Sequence, residues 1–393
     1  MDFALTPAQQ ELSRELRSYF ASLMTPAVVA ALQSGGPDRP IVRREVIRRM
    51  GADGWLGVGW PIELGGQGRT AFEQYIFYDE ATRAGVPVPM IALNTVAPTL
   101  MRHGTPEQQE RFLPGILAGE IDFAVGYTEP ESGTDLFSLK TRAVLNGDRY
   151  IVNGGKVFTS DADIAQYIWL AARTHPDLSL RHRGVSLLIV DTTDPGFSYT
   201  YIHTIGGTHT TATYYNDVVV PVSMRVGEEN AGAKIFSAQL SLERVAMSAR
   251  RASTGLGEEF LDWVRSASTA SGDRMSDIPW VSLRIAEIHA LLASSRLMNW
   301  KAATRLDEES LTSADAATVK VFGTEAMLQI CKLALEVLGA GGILLPGSDG
   351  ALLHGKFEAA YRDAITGSFG GGANEIHRET IASVGLGMPR VPR

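Results

Sequence analysis

The stretch of this chain best equipped for chemistry is Val125-Gly126-Tyr127-Thr128-Glu129-Pro130-Glu131-Ser132-Gly133-Thr134-Asp135. A strand-like start gives way to hydroxyls, exposed backbone amides and a glycine turn. Those groups hydrogen-bond a flavin edge and a pyrophosphate. An ordinary strand-end turn has the same composition, so the segment alone leaves both readings open. Other chemistries find less support. The eight histidines include no HExxH pair, there is no CxxC, and no metal site is expected. His175/His182 and His203/His209 read as structural or surface residues. There is no GxSxG elbow. Gly339-Ala340-Gly341-Gly342 resembles a dinucleotide loop but follows a helical pattern rather than a strand, so the Rossmann reading fails on context.

The elements that must position these residues follow from periodicity. Thr6-Pro7 caps a first helix with Leu12, Leu16, Phe20 and Leu23 on one face, broken at Ser34-Gly35-Gly36-Pro37. Further helices are expected from Ile41 to Ala52, Thr70 to Ala84 and Ala92 to His103, with a short one opened by Thr105-Pro106 and limited by Pro114. The pattern changes near Ile121. Thr141–Leu145 and Arg149–Asn153 flank Asn146-Gly147, a hairpin signal. Tyr167–Ala172, Val185–Val190, Phe197–His203 and Thr213–Val220 are further strands. Helical patterning returns after Gly232 and lasts to about Leu338; after glycine-rich Gly339–Gly350 come helices at Leu352–Gly367 and Asn374–Gly385. The expected fold class is α+β: an N-terminal helical domain (1–120), a central β domain (121–226) and a C-terminal four-helix bundle (227–393).

The totals agree with a large soluble enzyme. The chain has 393 residues, 45% of them hydrophobic, and a net charge of −8, which argues against non-specific nucleic-acid binding. Its single cysteine, Cys331, reads as a buried small hydrophobe and fits a reducing cytoplasm. The polar, acidic start is not a signal peptide, and no apolar run reaches the roughly 20 residues of a membrane span.

Tyr127-Thr128-Glu129-Pro130 with Gly133-Thr134-Asp135 resembles the flavin-binding signature of acyl-CoA dehydrogenases. So does Tyr150–Asn153 followed by Gly154-Gly155-Lys156-Val157-Phe158-Thr159-Ser160, which is similar to the family's NGxKxxIT stretch. The spacing of the two and the order of domains match, and the resemblance runs from Phe3 to Pro389. It implies non-covalent FAD and α,β-dehydrogenation of an acyl-CoA thioester, with electron-transfer flavoprotein as oxidant. It places Tyr127 and Thr128 at the flavin pyrimidine edge, and Gly133 and Thr134 near the pyrophosphate and the CoA arm. Phe158 matches the aromatic, usually tryptophan, that packs on the flavin ring. Ser160 matches the threonine whose hydroxyl approaches flavin N5. Asn374 and Glu375 match residues toward the FAD adenine.

The base is a separate question. Such a dehydrogenation removes an α proton while a β hydride passes to the flavin, and a buried carboxylate is the natural proton acceptor. Many members carry it in a C-terminal motif like YEGT. Here the run is Phe369-Gly370-Gly371-Gly372-Ala373-Asn374-Glu375-Ile376-His377-Arg378, with Gly371 at the glutamate position. Ser241-Leu242-Glu243-Arg244-Val245 instead resembles isovaleryl- and long-chain-type members, whose base lies on that earlier helix. The resemblance therefore assigns Glu243 as base and Arg244 to helix anchoring or the CoA arm.

One departure concerns partners. Homotetrameric members complete a neighbour's flavin site with a motif like RxxFG and a glutamine before GGxGY. This chain has Arg274-Met275-Ser276-Asp277-Ile278 at the first place and Glu336 at the glutamine, where a carboxylate would repel phosphate. That pattern is similar to actinobacterial dehydrogenases built from two different subunits, which act on steroid side-chain CoA thioesters. Gly59-Trp60-Pro61, Val319–Thr324 and Gly370–Gly372 also look like that subgroup. A heterotetramer is expected, with a homotetramer as the alternative. An oxidase, an acyl-carrier-protein dehydrogenase and a non-catalytic subunit stay open as other functions.

Overall fold

The computed structural model describes residues 4–33, 38–236, 254–269 and 271–389. Helix α1 (Pro7–Leu23) starts from a reciprocal capping box of Thr6 and Gln9 and buries Leu12, Leu16 and Phe20. It stops short of the expected break, because Pro26 cannot continue it and opens a second helix, α2 (Pro26–Gln33). Then come α3 (Arg39–Ala52) and α4 (Ala71–Arg83), the latter capped by Thr70 and Glu73. The stretch expected as one helix from Ala92 begins as a π-turn, Ala92–Val96, before α5 (Ala97–His103). Helix α6 (Pro106–Leu117) runs through Pro114 instead of ending there. Burial of Leu113 and Ile116 offsets the lost hydrogen bond, and Gly119, at φ 71°, follows the helix end.

Eight strands form one mixed sheet: β1 (Phe123–Gly126), β2 (Arg142–Asn146), β3 (Arg149–Lys156), β4 (Tyr167–Arg173), β5 (Val185–Asp191), β6 (Phe197–His203), β7 (His209–Pro221) and β8 (Arg225–Val226). The order is β6-β7-β3-β2-β4-β5-β8, with β1 parallel to β4. Asn146-Gly147 makes the β2–β3 hairpin, Gly147 taking φ 64°. Strand β7 starts four residues earlier than its alternation suggested, because His209–Ala212 pair with Thr200–His203 of β6.

The C-terminal part holds α7 (Thr254–Ser266), α8 (Pro279–Asp307), α9 (Ser313–Leu338), α10 (Lys356–Gly367) and α11 (Asn374–Thr380). Leu353 and His354 sit at positive φ in a 3-10 turn, so α10 starts only at Lys356. Its core joins Phe260, Val264, Val281, Ile288, Ile330, Ala334 and Phe357. A second core runs unbroken from the N-terminal helices into the sheet, across residue 120. Cys331 is buried, and burial pushes its thiol up to about 12.

The N-terminal helices and the bundle meet at α4. Asp307, at the end of α8, accepts the Ala71 and Phe72 amides at 2.5 and 3.2 Å, Phe72 packs on Trp300, and Arg83 pairs with Glu258 of α7. A carboxylate at a helix N-terminus satisfies orphan amides and complements the dipole. Asp307→Ala is expected to cost about 1 kcal/mol, read as a lower urea midpoint at constant slope. An unchanged midpoint would show that the Thr70 cap alone suffices.

Candidate active site

The site is built around an irregularity in β3. The register against β7 shifts between Val152 and Gly154, and Gly154 takes φ 147°. A Cβ there would come 2.6 Å from Thr141 Oγ1, so only glycine fits. Beyond the bulge Lys156 points inward, its side chain 0% exposed, and its ammonium meets the Glu129 carboxylate at 2.8 Å. It also donates to the Tyr127 carbonyl at 3.0 Å. Glu129 in turn accepts the Lys140 amide at 2.6 Å and the Thr141 amide at 2.9 Å. One buried ion pair thus joins the end of β1, the turn after it, the start of β2 and the end of β3. The Val157 amide adds a bond to the Thr128 carbonyl at 2.9 Å.

Burial alone would raise the Glu129 carboxyl, but Lys156 and the two amides outweigh it and hold it below the ordinary range. Burial pulls the Lys156 ammonium down to about 8, against the attraction of Glu129.

Within this frame the turn is closed by mutual backbone bonds between Glu129 and Ser132, and the Ser132 and Ser138 hydroxyls donate to the Asp135 carbonyl. Gly133 and Thr134 stand exposed on it, and a Cβ on Gly133 would meet nothing within 4 Å. The Tyr127 ring packs edge-on against Phe236, 5.1 Å between centroids. Phe158 is 62% exposed and takes φ 60°, a strained conformation for an aromatic residue. Next to it, the Ser160 hydroxyl lies 3.0 Å from that of Thr210. The turn is clamped to β7: the Thr159 amide donates to the Thr211 carbonyl at 3.0 Å, and the Thr211 hydroxyl to the Thr159 carbonyl at 2.6 Å.

The structure therefore brings Tyr127, Thr128, Phe158 and Ser160 onto one scaffold, with Gly133 and Thr134 on the turn it supports. These residues fit FAD. An uncovered aromatic ring fixed at positive φ offers a face to a planar ring system, with hydroxyls beside it and open amides on a rigid turn. The sequence reading gave no role to Glu129 and Lys156, though both lie in the quoted motifs. It passed over the β7 threonines, whose signal was the run Thr208-His209-Thr210-Thr211-Ala212-Thr213.

The remaining candidates lie elsewhere. Glu243 and Arg244 fall outside the described residues. Glu375 is exposed in the first turn of α11, whereas Asn374 is 2% exposed and bonded to Lys320, Thr324 and Glu325. Glu336 is held by Arg284 of α8 through two bonds of 2.8 and 3.1 Å, which offsets the charge expected to repel phosphate. A cavity of about 700 Å³ beside Arg44, Asp163, Asp191 and Tyr199 includes none of the candidate site residues.

A helical region, a β region bearing a flavin-type cradle and a C-terminal bundle define an acyl-CoA dehydrogenase architecture. The family models agree: the N-terminal, middle and C-terminal domains of acyl-CoA dehydrogenase match residues 6–120, 124–218 and 230–386. Acyl-CoA dehydrogenase FadE26 of Mycobacterium tuberculosis is 48% identical over 100% of both chains, and FadE29 of the same organism 47% over 99% of both. Among solved structures, a chain of the ChsE4-ChsE5 complex from Mycobacterium tuberculosis superposes with a TM-score of 0.93 at 49% identity over 100% of both chains. A chain of the Tcur3481-Tcur3483 steroid ACAD gives 0.92 at 46%, again over 100% of both. The chain belongs to the acyl-CoA dehydrogenase family. It is an FAD-dependent oxidoreductase acting on the CH–CH bond of acyl-CoA thioesters. No helix among the described residues is long and apolar enough to cross a membrane.

Removing one member of a buried ion pair strands the other charge, at about 3–5 kcal/mol. Glu129→Gln and Lys156→Met are each expected to lower stability by that amount and to release FAD, while the double variant loses less than the sum. The pH dependence has a definite sign. Glu129 is depressed on folding, so its contribution is complete above the ordinary glutamate value of about 4.3 and is lost as pH falls through the folded value. Urea midpoints across the acid range should fall more steeply for the wild type than for Glu129→Gln, and parallel acid limbs would contradict the assignment.

Proposed function

We propose that this chain oxidises the Cα–Cβ bond of a bulky, polycyclic acyl-CoA, of the steroid side-chain class, with Glu243 as proton acceptor. The observation that carries the reading is full-length likeness to a structure described as a steroid ACAD, joined to the pairing in sequence of Glu243 with Gly371. A glycine where many relatives have a glutamate leaves room near the β carbon.

Tyr127 and Thr128 would hold the flavin pyrimidine edge, Gly133 and Thr134 the pyrophosphate and CoA arm, and Phe158 would cover the ring. Ser160, steadied by Thr210, offers its hydroxyl toward N5. Bound there, FAD would supply the acceptor for the hydride leaving the β carbon. Glu243 takes the α proton, and Arg244 serves as its anchor or contacts the CoA arm. Asn374 and Glu375 serve the adenine end, Asn374 through the loop it holds.

The same reading makes the assembly a heterotetramer with a second, unlike dehydrogenase subunit, electron-transfer flavoprotein the oxidant and the cytoplasm the setting. Support for the heteromer is the absent Phe-Gly pair after Arg274 and the full-length likeness to a chain of the ChsE4-ChsE5 complex. Co-expression with a partner dehydrogenase gene should give an FAD-loaded complex where this chain alone gives a flavin-poor one. Isolation of a flavin-bound homotetramer would overturn the heteromer.

Glu243→Gln in that complex should keep the flavin spectrum and slow bleaching by the acyl-CoA at least ~10²-fold. Bleaching at the wild-type rate would refute Glu243 as the base.

A further inference from the structure

The run Ser368–Asn374 after α10 carries no side chain beyond Cβ from Gly370 to Ala373. Gly371 and Gly372 are exposed and take φ 72° and 95°. Bare glycine backbone is the costliest segment to fix in one shape. This one is gripped from beneath by two buried polar side chains. Lys320 of α9, 4% exposed, donates to the Gly372 carbonyl at 2.6 Å, to Asn374 Oδ1 at 2.6 Å and to the Ser368 carbonyl at 3.3 Å. His377, 2% exposed, reaches the Gly371 carbonyl at 3.1 Å from Nε2, and a Cβ on Gly372 would come 2.8 Å from that nitrogen. Asn374 is locked in turn, its amide nitrogen donating to Thr324 and Glu325 at 3.1 Å each.

Taking an ammonium out of water costs several kcal/mol. Here it is set against the oxygens of a turn whose Gly370–Ala373 stretch has no side chain beyond Cβ to hold its own shape. We propose that Lys320 is a positioning residue that fixes the glycine turn as a preset wall of the acyl site and so determines specificity for bulky acyl groups. The proposal rests on the reading above, in which the Gly371 position borders the acyl group. It also gives Asn374 a task distinct from cofactor contact: it relays the grip of Lys320 to the start of α11.

The test uses the FAD-loaded complex with Lys320→Met, which keeps the length of the side chain and removes its donors. Hydrogen exchange of the 368–374 amides should accelerate at least ~10-fold while exchange in the bundle core stays unchanged. The KM for a polycyclic side-chain acyl-CoA should rise about 10-fold with kcat within about 2-fold, and an unbranched short-chain acyl-CoA should change less than about 2-fold in either constant. Lys320→Gln, which restores a donor, should recover part of the loss. If Lys320→Met does not fold, Lys320→Gln alone carries the test and should give the same selective rise, smaller in size. An equal fall with both thioesters, or unchanged exchange at 368–374, would overturn the proposal. Wild-type enzyme that favours the unbranched thioester would instead overturn the bulky-substrate reading, and the exchange result would still decide whether Lys320 holds the turn.

Discussion

The cofactor side of this molecule depends on one buried ion pair. Lys156 and Glu129 come from segments 27 residues apart, and the pair meets at 2.8 Å with almost no exposure. Its worth as a net stabiliser is small, because two charges have been desolvated to make it. Its worth as a constraint is large. With Lys156 drawn inward, the turn that follows must come out at Phe158. With Glu129 drawn inward, the turn that carries Gly133 and Thr134 must stand outward. A hydrophobic pair of the same volume would fill the space without fixing the Tyr127 carbonyl or the Lys140 and Thr141 amides. The specificity lies in the hydrogen bonds the charges make, which apolar side chains cannot supply.

Much of the fold was legible because its signals are local. Capping residues at Thr6 and Thr105, the Asn146-Gly147 turn and period-two alternation each depend on a few neighbouring residues. The misses share a different cause. Pro114 breaks a helix in isolation, yet the helix continues because Leu113 and Ile116 are buried in the tertiary core. Strand β7 extends back to His209 because β6 is there to pair with it, which no window around Thr210 contains. Pattern shows where backbone hydrogen bonds can form; tertiary contact decides where they stop.

The site shows the same division. The two motifs were readable as strings, so Tyr127, Thr128, Phe158 and Ser160 could be named as candidates. The residues that hold them in place were invisible as such, since a buried lysine and a surface lysine are one letter. Asn374 is the instructive case. Resemblance gave it a position in a motif, but not the partners of its amide. Those come from α9, some 50 residues earlier, and they turn the side chain away from solvent. Likewise Glu336 suggested a bare negative charge until Arg284 of α8 was found on it.

A common device links the two ends of the site. Lys156 is buried against a carboxylate and a carbonyl; the oxygens at Lys320 include two carbonyls and an amide. Both ammonium groups lie beneath turns that expose glycine backbone, Gly133 in the one and Gly371 and Gly372 in the other. A turn of that kind offers amides and open space to a ligand, which is what FAD and a bulky acyl chain require. By itself it would sample many shapes, and a site held an ångström too loosely loses orientation and rate. Placing the charge under the turn removes that freedom from within, so the exposed glycines need no larger side chain to hold the backbone. The arrangement explains why the glycines and the buried cations occur together: openness toward the ligand is tolerable only where something beneath fixes the backbone.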